Sequence, residues 1–143
     1  TAAALTAAGA LRTGDLGRVD DRGLLFLTGR LKDIIISGGF NIAPAEIESV
    51  AFAHGSLQEV IVVGVESERW GETPVVVAVP KAGNGVTAED VLNHCRSNLS
   101  SFKRPSAAAL VERIPTTGIG KSDKAAVKKM IANGEITLVF HRA

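Results

Sequence analysis

One stretch of 20 residues decides the fold and organises the rest of the chain: Gly29-Arg30-Leu31-Lys32-Asp33-Ile34-Ile35-Ile36-Ser37-Gly38-Gly39-Phe40-Asn41-Ile42-Ala43-Pro44-Ala45-Glu46-Ile47-Glu48. It joins a charged cluster, a β-branched strand at 34–36, a glycine pair that bends the chain, and a second short strand at 41–43. Pro44 then stands where proline suits the first turn of a helix. Stability alone requires no such juxtaposition, so the stretch predicts a functional part of the molecule.

Strand patterns lie on both sides of this stretch. Asp20-Asp21-Arg22-Gly23 is a turn composition between two apolar segments and predicts a β-hairpin. Valine-rich segments further on predict buried strands. The additional predicted strands are 16–19, 24–28, 57–65, 74–79 and 107–111.

Three helices are predicted from start signals and from apolar residues at helical spacing. Their starts lie at Pro44, at residues 87–90, and at Ser122 or Asp123. Their inward faces carry Ile47, Val50, Ala51 and His54; Val91, Cys95 and Leu99; and Val127, Met130 and Ile131. The sequence therefore predicts a small α+β domain: a short β-hairpin plus a roughly three-stranded sheet with helices packed on it.

Composition narrows the class of protein. The 143 residues suffice for one domain, and 45% hydrophobic residues favour a folded core. A formal net charge of +1 argues against a general nucleic-acid binder. No apolar run approaches the roughly 18–20 residues that a membrane span needs. The single cysteine, Cys95, can form no internal disulfide and favours a reducing, cytoplasmic setting, with the thiol packed in the core.

Residues 13–15, Thr-Gly-Asp, are a candidate nucleotide contact. An ionised aspartate in a glycine turn can accept two hydrogen bonds from a ribose diol. Turn chemistry alone would also explain the tripeptide, so its weight comes from Gly29-Arg30, which follows fifteen residues after Asp15. For Arg30 the structural alternative is a surface or interdomain ion pair.

Ser101-Phe102-Lys103-Arg104-Pro105 places an aromatic ring beside two cations. Stacking and charge pairing of this kind suit an adenine–phosphate group. A solvated basic edge at a helix exit is the structural alternative. Trp70, in the loop between the two long predicted strands, is a further aromatic candidate that could equally be a packing residue.

Pro115-Thr116-Thr117-Gly118-Ile119-Gly120-Lys121 is the second long motif. Its end, with Ser122, partly fits the phosphate-binding pattern G-x-x-x-x-G-K-[ST]. The first glycine of that pattern is replaced by Pro115, which has no backbone N–H to offer a phosphate. A P-loop is therefore excluded, and the motif predicts a glycine-flanked loop that carries one cation.

Taken together, the two motifs resemble the C-terminal domain of the adenylate-forming enzymes, the superfamily of acyl-CoA synthetases, luciferases and peptide-synthetase adenylation domains. The Ile-Ile-Ser-Gly-Gly wording at 35–39 looks most like the acyl- and aryl-CoA ligases. The resemblance covers about residues 11–131. Ser122 departs from it, because the family often has an apolar residue there, and the tail 137–143 matches no pattern.

This resemblance implies a role for particular residues. Lys121 would be the catalytic lysine of the adenylation step, and Lys32 with Asp33 would form the hinge about which the domain rotates between two steps. Asp15 and Arg30 would contact the nucleotide sugar. An ordinary exposed lysine is the alternative for Lys32.

A second set of residues is implied to bind CoA. Glycines let the backbone approach a narrow phosphopantetheine arm closely, while aromatic and cationic side chains would hold its nucleotide end. The implied CoA-binding residues are Gly38, Gly39, Trp70, Phe102 and Arg104.

The resemblance also implies an ATP-dependent, AMP-forming acid–CoA ligase of fatty-acid or aryl-acid metabolism. ATP, CoA and Mg²⁺ would be required, with the Mg²⁺ ligands outside this chain. Residues 1–31 would be the last hairpin of a large N-terminal domain and residues 32–143 the C-terminal lid. The expected partners are that N-terminal domain, CoA and a small carboxylic acid, and the chain alone is expected to be inactive.

Two other functions remain open at this point. An adenylation domain that loads a carrier protein would carry the same motifs, although the basic segment at 102–105 favours free CoA. A non-catalytic module that binds a nucleotide or a protein partner would require the two motifs to co-occur by chance. The sequence names neither the acid nor the oligomeric state.

Overall fold

The computed structural model describes residues 4–140, in which eight strands and three α-helices alternate. A 3₁₀ turn at Leu31–Asp33 separates the first two strands from the rest, and another lies at Ser101–Lys103. The elements are β1 (Asp15–Val19), β2 (Leu25–Arg30), β3 (Ile35–Ser37), β4 (Phe40–Ile42), α1 (Pro44–Phe52), β5 (Leu57–Ser67), β6 (Gly71–Pro80), α2 (Ala88–Asn98), β7 (Ala107–Leu110), α3 (Lys124–Ala132) and β8 (Val139–Phe140).

Strands β1 and β2 form the predicted hairpin as a separate antiparallel sheet. Oδ1 of Asp20 accepts hydrogen bonds from the backbone N–H groups of Arg22 and Leu24, at 2.9 Å each, and closes the turn. Neither face of this hairpin is buried: Leu27 is 70% exposed, and Phe26, which points to the opposite face, is 42% exposed. Its apolar side chains therefore lie at the surface of the described residues.

The main sheet has six strands in the order β4-β3-β6-β7-β8, with β5 paired to β6. The long β5 and β6 strands run antiparallel, whereas β6 and β7 run parallel and are joined by a crossover through α2. Strand β3 joins the sheet through a single pairing of Ser37 with Gly71. That pairing brings the glycine loop at 38–39 next to the β5–β6 turn.

Helices cover both faces of the main sheet, because successive strand side chains point to opposite sides. Val62 and Val76 pack with α1 and α2 on one face, where Ile47 and Leu92 are buried. On the other face, Val127 of α3 and its neighbours are packed against the intervening strand residues. Because both faces of the sheet are buried, β5 and β6 have continuous valine-rich sequences instead of alternating apolar and polar residues.

The predicted helix starts are confirmed. Thr87 and Asp90 form a reciprocal capping box at the start of α2, and the hydrogen bonds from the hydroxyl and backbone N–H of Thr87 hold the pKa of Asp90 below its ordinary value. At α3 the cap is Asp123, which accepts a hydrogen bond from the N–H of Ala126 at 3.0 Å. Pro44 is the first residue of α1.

The α+β class is confirmed, but the sheet is wider than predicted. The hairpin β3–β4 belongs to the main sheet, and the otherwise unread tail contributes β8, whose Phe140 pairs with Ala107. A strand of two residues carries too little periodicity to be predicted from sequence. The first three residues of the predicted segment 1–31 and the last three of the predicted domain 32–143, namely residues 1–3 and 141–143, lie outside the described residues.

Two observations bear on wider properties of the chain. No helix within residues 4–140 is both long and apolar enough to cross a membrane. Cys95 is fully buried in α2, and this burial raises the pKa of its thiol to about 11, so the thiol is neutral near pH 7. A packing role for Cys95 is therefore favoured over a nucleophilic one.

Candidate functional site

Lys121 lies at the end of a tight, exposed loop, residues 116–122, which we call the lysine loop. Thr116 and Ser122 pair at its base, and the N–H of Thr117 donates to the carbonyl of Lys121 at 2.7 Å. Gly120 has φ +78°, a conformation that suits glycine and closes the turn. The loop therefore has a hydrogen-bonded base and carries Lys121 into solvent, where Nζ has no partner among residues 4–140.

The lysine loop faces the 3₁₀ turn across a cavity of about 710 Å³, which we call the lysine cavity. Of the predicted site residues, Arg30, Lys32, Asp33 and Lys121 line it together. Five of its lining side chains are cationic and two are acidic: Arg30, Lys32, Lys121, Lys124 and Lys128, against Asp33 and Asp123. Such an excess of positive charge favours an anionic ligand.

Asp15 is joined to this region through Arg30. The two residues are register partners in the β1–β2 hairpin, and Nε of Arg30 lies 3.2 Å from Oδ1 of Asp15. The pair is partly exposed, with 51% of the Arg30 side chain and 29% of the Asp15 side chain accessible. The hairpin thus brings the two predicted nucleotide residues together and leaves both accessible to a ligand.

Lys32 and Asp33 lie in the 3₁₀ turn between the hairpin and the main sheet. Arg30 before the turn and Ile34 after it both have extended backbone. Lys32 is exposed and Asp33 is half-buried, and neither has a side-chain ion pair within residues 4–140. A short solvated connection of this kind can change its backbone angles without breaking side-chain contacts.

A second cavity, of about 410 Å³, lies at the glycine loop. We call it the aromatic cavity, because Phe40, Trp70 and Phe102 line it. Four of the five residues predicted to bind CoA contribute to this lining: Gly38, Trp70, Phe102 and Arg104. Gly39 is adjacent in the chain but is not among the residues that line the cavity.

Gly38 and Trp70 form one wall of the aromatic cavity. The N–H of Gly38 donates to the carbonyl of Trp70 at 2.9 Å, and a Cβ on Gly38 would lie 2.9 Å from Cε3 of the indole. The guanidinium of Arg69 covers the same indole, with Cζ 4.7 Å from the ring centroid. Only glycine therefore lets the loop lie this close to the Trp70 ring.

The cavity lining also includes two stacked rings and one arginine. Phe40 and Phe102 stack with centroids 4.7 Å apart. Nε of Arg104 donates to the carbonyl of Leu99 at 3.1 Å, which anchors the side chain and leaves the Nη groups for a ligand. Lys103, by contrast, is held in a bidentate pair by Glu46, at 2.7 and 2.8 Å.

Phe40 is a site residue that sequence reasoning missed. Phe40 directly follows the glycine pair, but its partner Phe102 is distant in the chain, and only the packing of β4 against the Ser101–Lys103 turn reveals the stack. The polar residues Thr73 and Ser106 also line the cavity without a sequence signal. Within residues 4–140 no group of three or more His, Cys, Asp or Glu side chains could hold a metal ion.

Comparison with known proteins assigns the class. The family model for the AMP-binding enzyme C-terminal domain matches residues 46–121. The chain belongs to this family.

Individual relatives agree with the assignment. The chain is 37% identical over 123 residues to a 2-succinylbenzoate–CoA ligase of Geobacillus sp. (strain WCH70), covering 86% of this chain and 25% of that protein. It is 41% identical over 130 residues to an indoleacetate–CoA ligase of Aromatoleum aromaticum (strain DSM 19018 / LMG 30748 / EbN1), covering 91% and 26%. It thus spans about a quarter of the length of these curated relatives.

Among solved structures, ATP-bound MatB from Rhodopseudomonas palustris superposes with a TM-score of 0.84 at 34% sequence identity, covering 91% of this chain and 26% of that one. The fold predicted from the motifs is therefore that of a domain found within a larger adenylate-forming enzyme.

Proposed function

We propose that this chain is the C-terminal part of an ATP-dependent, AMP-forming acid–CoA ligase. Such an enzyme converts a carboxylate and ATP into an acyl-adenylate and pyrophosphate, and then transfers the acyl group to the thiol of CoA with release of AMP. In this proposal residues 1–31 end the large domain and residues 32–143 form the lid. The exposed apolar side chains of the β1–β2 hairpin, including Leu25 and Leu27, support a neighbouring domain on that side.

One observation carries the proposal: eight of the ten predicted residues line one of two separate cavities, which we assign to the two steps, while Asp15 and Gly39 line neither. Lys121 lies with Lys32 and Asp33 in the lysine cavity, whereas Gly38, Trp70 and Arg104 lie in the aromatic cavity. No lining residue is shared by the two cavities. Two faces of one small domain, presented in turn by rotation at Lys32–Asp33, would serve two reactions at one active site.

In the first step Lys121 supplies a positive charge. Its Nζ would contact the carboxylate and the α-phosphate as negative charge shifts toward pyrophosphate, and a charge placed in advance stabilises that transition state. Asp15 would accept hydrogen bonds from the ribose hydroxyls, and Arg30 would lie beside the same sugar. The paired arrangement of Asp15 and Arg30 orients both side chains before a nucleotide arrives.

In the second step the aromatic cavity would hold CoA. The bare backbone of Gly38 and Gly39 would border the pantetheine arm, while Phe102 and Trp70 would contact the adenine or the arm and Arg104 a phosphate. The anchored Nε of Arg104 fits this role, because it reduces the conformational freedom that phosphate binding would remove. Thr73 and Ser106 would add polar contacts.

Several parts of the proposal concern groups outside the described residues. Mg²⁺ would neutralise the triphosphate, and its ligands would lie outside this chain. The substrate would be a fatty or aryl acid bound by the large domain, and the enzyme would work in the cytoplasm. Loading of a carrier protein is the alternative fate of the acyl group.

The test uses the full-length protein that carries this chain. Acid-dependent ATP–pyrophosphate exchange is measured over a panel of fatty and aryl acids, with CoA consumption followed in the same wells. Exchange with CoA consumption would establish the ligase and identify the acid class. Exchange without CoA consumption would favour a carrier protein as acceptor, and absence of exchange with every acid would contradict the proposal.

A matched pair of variants tests the two-cavity assignment. Lys121→Ala should reduce exchange, while Arg104→Met should spare exchange and impair thioester formation from a preformed acyl-adenylate. If both variants impaired the same step, the assignment of one half-reaction to each cavity would be contradicted.

A further inference from the structure

Glu48 and Lys124 connect elements that lie on opposite faces of the main sheet. Glu48 belongs to α1 and Lys124 to α3, and the Nζ of Lys124 lies 2.6 Å from Oε1 of Glu48. The same oxygen accepts the backbone N–H of Val62 in β5 at 2.9 Å. The pair therefore closes around the edge of β5, with one carboxylate oxygen of α1 bonded to both β5 and α3.

The Glu48 carboxylate stabilises two groups that would otherwise be unfavourably placed. Lys124 is the first residue of α3, where the partial positive charge of a helix N-terminus disfavours a cation. Val62 lies in β5, whose sheet partner is β6, so its N–H faces the open edge. The Glu48 carboxylate compensates the charge of Lys124 and satisfies that N–H, and its bond to the backbone makes it a rigid anchor.

A second contact attaches the lysine loop to the same strand. Oγ of Ser122 donates to Oε1 of Glu59 at 2.9 Å, and Ser122 also pairs with Thr116 at the base of the loop. The hydroxyl of Ser122 therefore gives the loop a further polar attachment to β5.

We infer that the Lys124–Glu48 ion pair and the Ser122–Glu59 hydrogen bond form a clamp that positions the lysine loop, with Lys124 and Glu48 acting as positioning residues for Lys121. The clamp begins directly after Lys121 in the chain, so it sets where that backbone lies while the loop tip stays exposed. The predicted effect on catalysis by Lys121 rests on the proposed function. The predicted position of the lysine loop rests on the contacts alone.

The clamp also pairs one of the cations that line the lysine cavity. Lys124 is paired with Glu48, and Lys128 lies 3.6 Å from Glu72. Lys32 and Lys121 have no ion-pair partner among the described residues. Pairing Lys124 therefore compensates a competing cation three positions after Lys121 and leaves Lys121 to meet the developing charge.

The experiment measures both half-reactions in the full-length protein. Lys124→Met should slow pyrophosphate exchange by about 10- to 100-fold through misplacement of Lys121, while thioester formation from a preformed acyl-adenylate stays within about twofold of wild type. Glu48→Gln, which keeps an acceptor for Val62, should give the same selective loss, and Lys124→Arg should restore most of the exchange rate. Lys129→Met, an exposed change in the same helix, is the control.

A double variant separates positioning from general destabilisation. If Lys124 acts through Lys121, Lys121→Ala combined with Lys124→Met should be no slower than Lys121→Ala alone. Multiplied losses in the double variant, or equal losses in both half-reactions, would overturn the inference.

Amide hydrogen exchange of residues 116–122 provides a readout that is independent of activity. Lys124→Met should accelerate amide hydrogen exchange in this loop, compared with both the wild type and the Lys129→Met control. If the wild-type protein proves inactive with every acid, the proposed function fails, and this measurement decides the clamp by itself. Unchanged exchange in the loop would then overturn it.

Discussion

Asp15 and Arg30 are register partners at the open end of the β1–β2 hairpin, with Nε of Arg30 3.2 Å from Oδ1 of Asp15. A partly exposed ion pair contributes little to folding, so Asp15→Asn should change the free energy of unfolding by less than about 1 kcal/mol. If Asp15 binds the ribose as proposed, the change should raise the KM for ATP of the full-length protein, because that acceptor is weakened. Denaturant unfolding and ATP titrations measure the two effects, with Asp21→Asn in the hairpin turn as the control. An unchanged KM for ATP would leave the ion pair a purely structural feature.

If Lys121 acts in adenylation as proposed, Lys121→Ala should lower acid-dependent pyrophosphate exchange of the full-length protein by about 10²–10³-fold, because one pre-placed charge would be lost from the transition state. Thioester formation from a preformed acyl-adenylate should be retained, since Lys121 lies in the lysine cavity and not in the aromatic cavity. Lys121 is exposed, so the unfolding transition should not move. Equal loss of both half-reactions would contradict this assignment.

Gly38→Ala and Gly39→Ala form a matched pair. Both glycines have positive φ, +56° and +84°, so alanine is strained at either place. A Cβ at Gly38 would also meet Cε3 of Trp70 at 2.9 Å, whereas nothing lies within 4 Å of a Cβ at Gly39. Gly38→Ala should therefore reduce stability and CoA-dependent turnover more than Gly39→Ala. Equal effects of the two changes would argue against the contact with Trp70 as the cause.

If Arg104 binds a CoA phosphate as proposed, Arg104→Met should raise the KM for CoA by about 10-fold or more, because a charge-assisted hydrogen bond would be lost. Pyrophosphate exchange in the absence of CoA should not change. Arg113→Met, an exposed arginine outside both cavities, is the control. If Arg104→Met left the CoA dependence intact, the aromatic cavity would require another ligand.

Cys95 provides a prediction for the chain by itself. Because burial raises the pKa of its thiol from 9.0 to about 11, the neutral thiol favours the folded state. This contribution is complete below about pH 9 and is lost as the pH rises toward 11. Cys95→Ala should remove that part of the pH dependence, as measured by denaturant unfolding at several pH values. The native thiol should also resist a disulfide reagent until urea unfolds the chain; rapid native reaction would contradict its burial.

Local features were predictable because they depend on residues close together in the chain. The capping box of Thr87 and Asp90 spans a few residues, and the bend at Gly38 follows from the conformational freedom of glycine. The valine-rich strands β5 and β6 were predicted as elements, but both extend beyond the expected ends, to Ser67 and from Gly71. Hydrogen bonding between β5 and β6 continues to the turn that joins them and so lengthens both strands. This pairing between strands cannot be read from the pattern of residues within either one.

The amino-acid sequence by itself determined the class of the domain, its helix starts and the motifs that carry Lys121 and the glycine loop. Only the tertiary structure decided which distant residues meet: Phe40 with Phe102, and Glu48 with Lys124, 76 positions apart. Periodicity and turn chemistry act over a few residues, so they specify elements and their ends. Which side chains share a cavity depends on strand order and on the face each helix covers, and these are fixed by packing of the whole core.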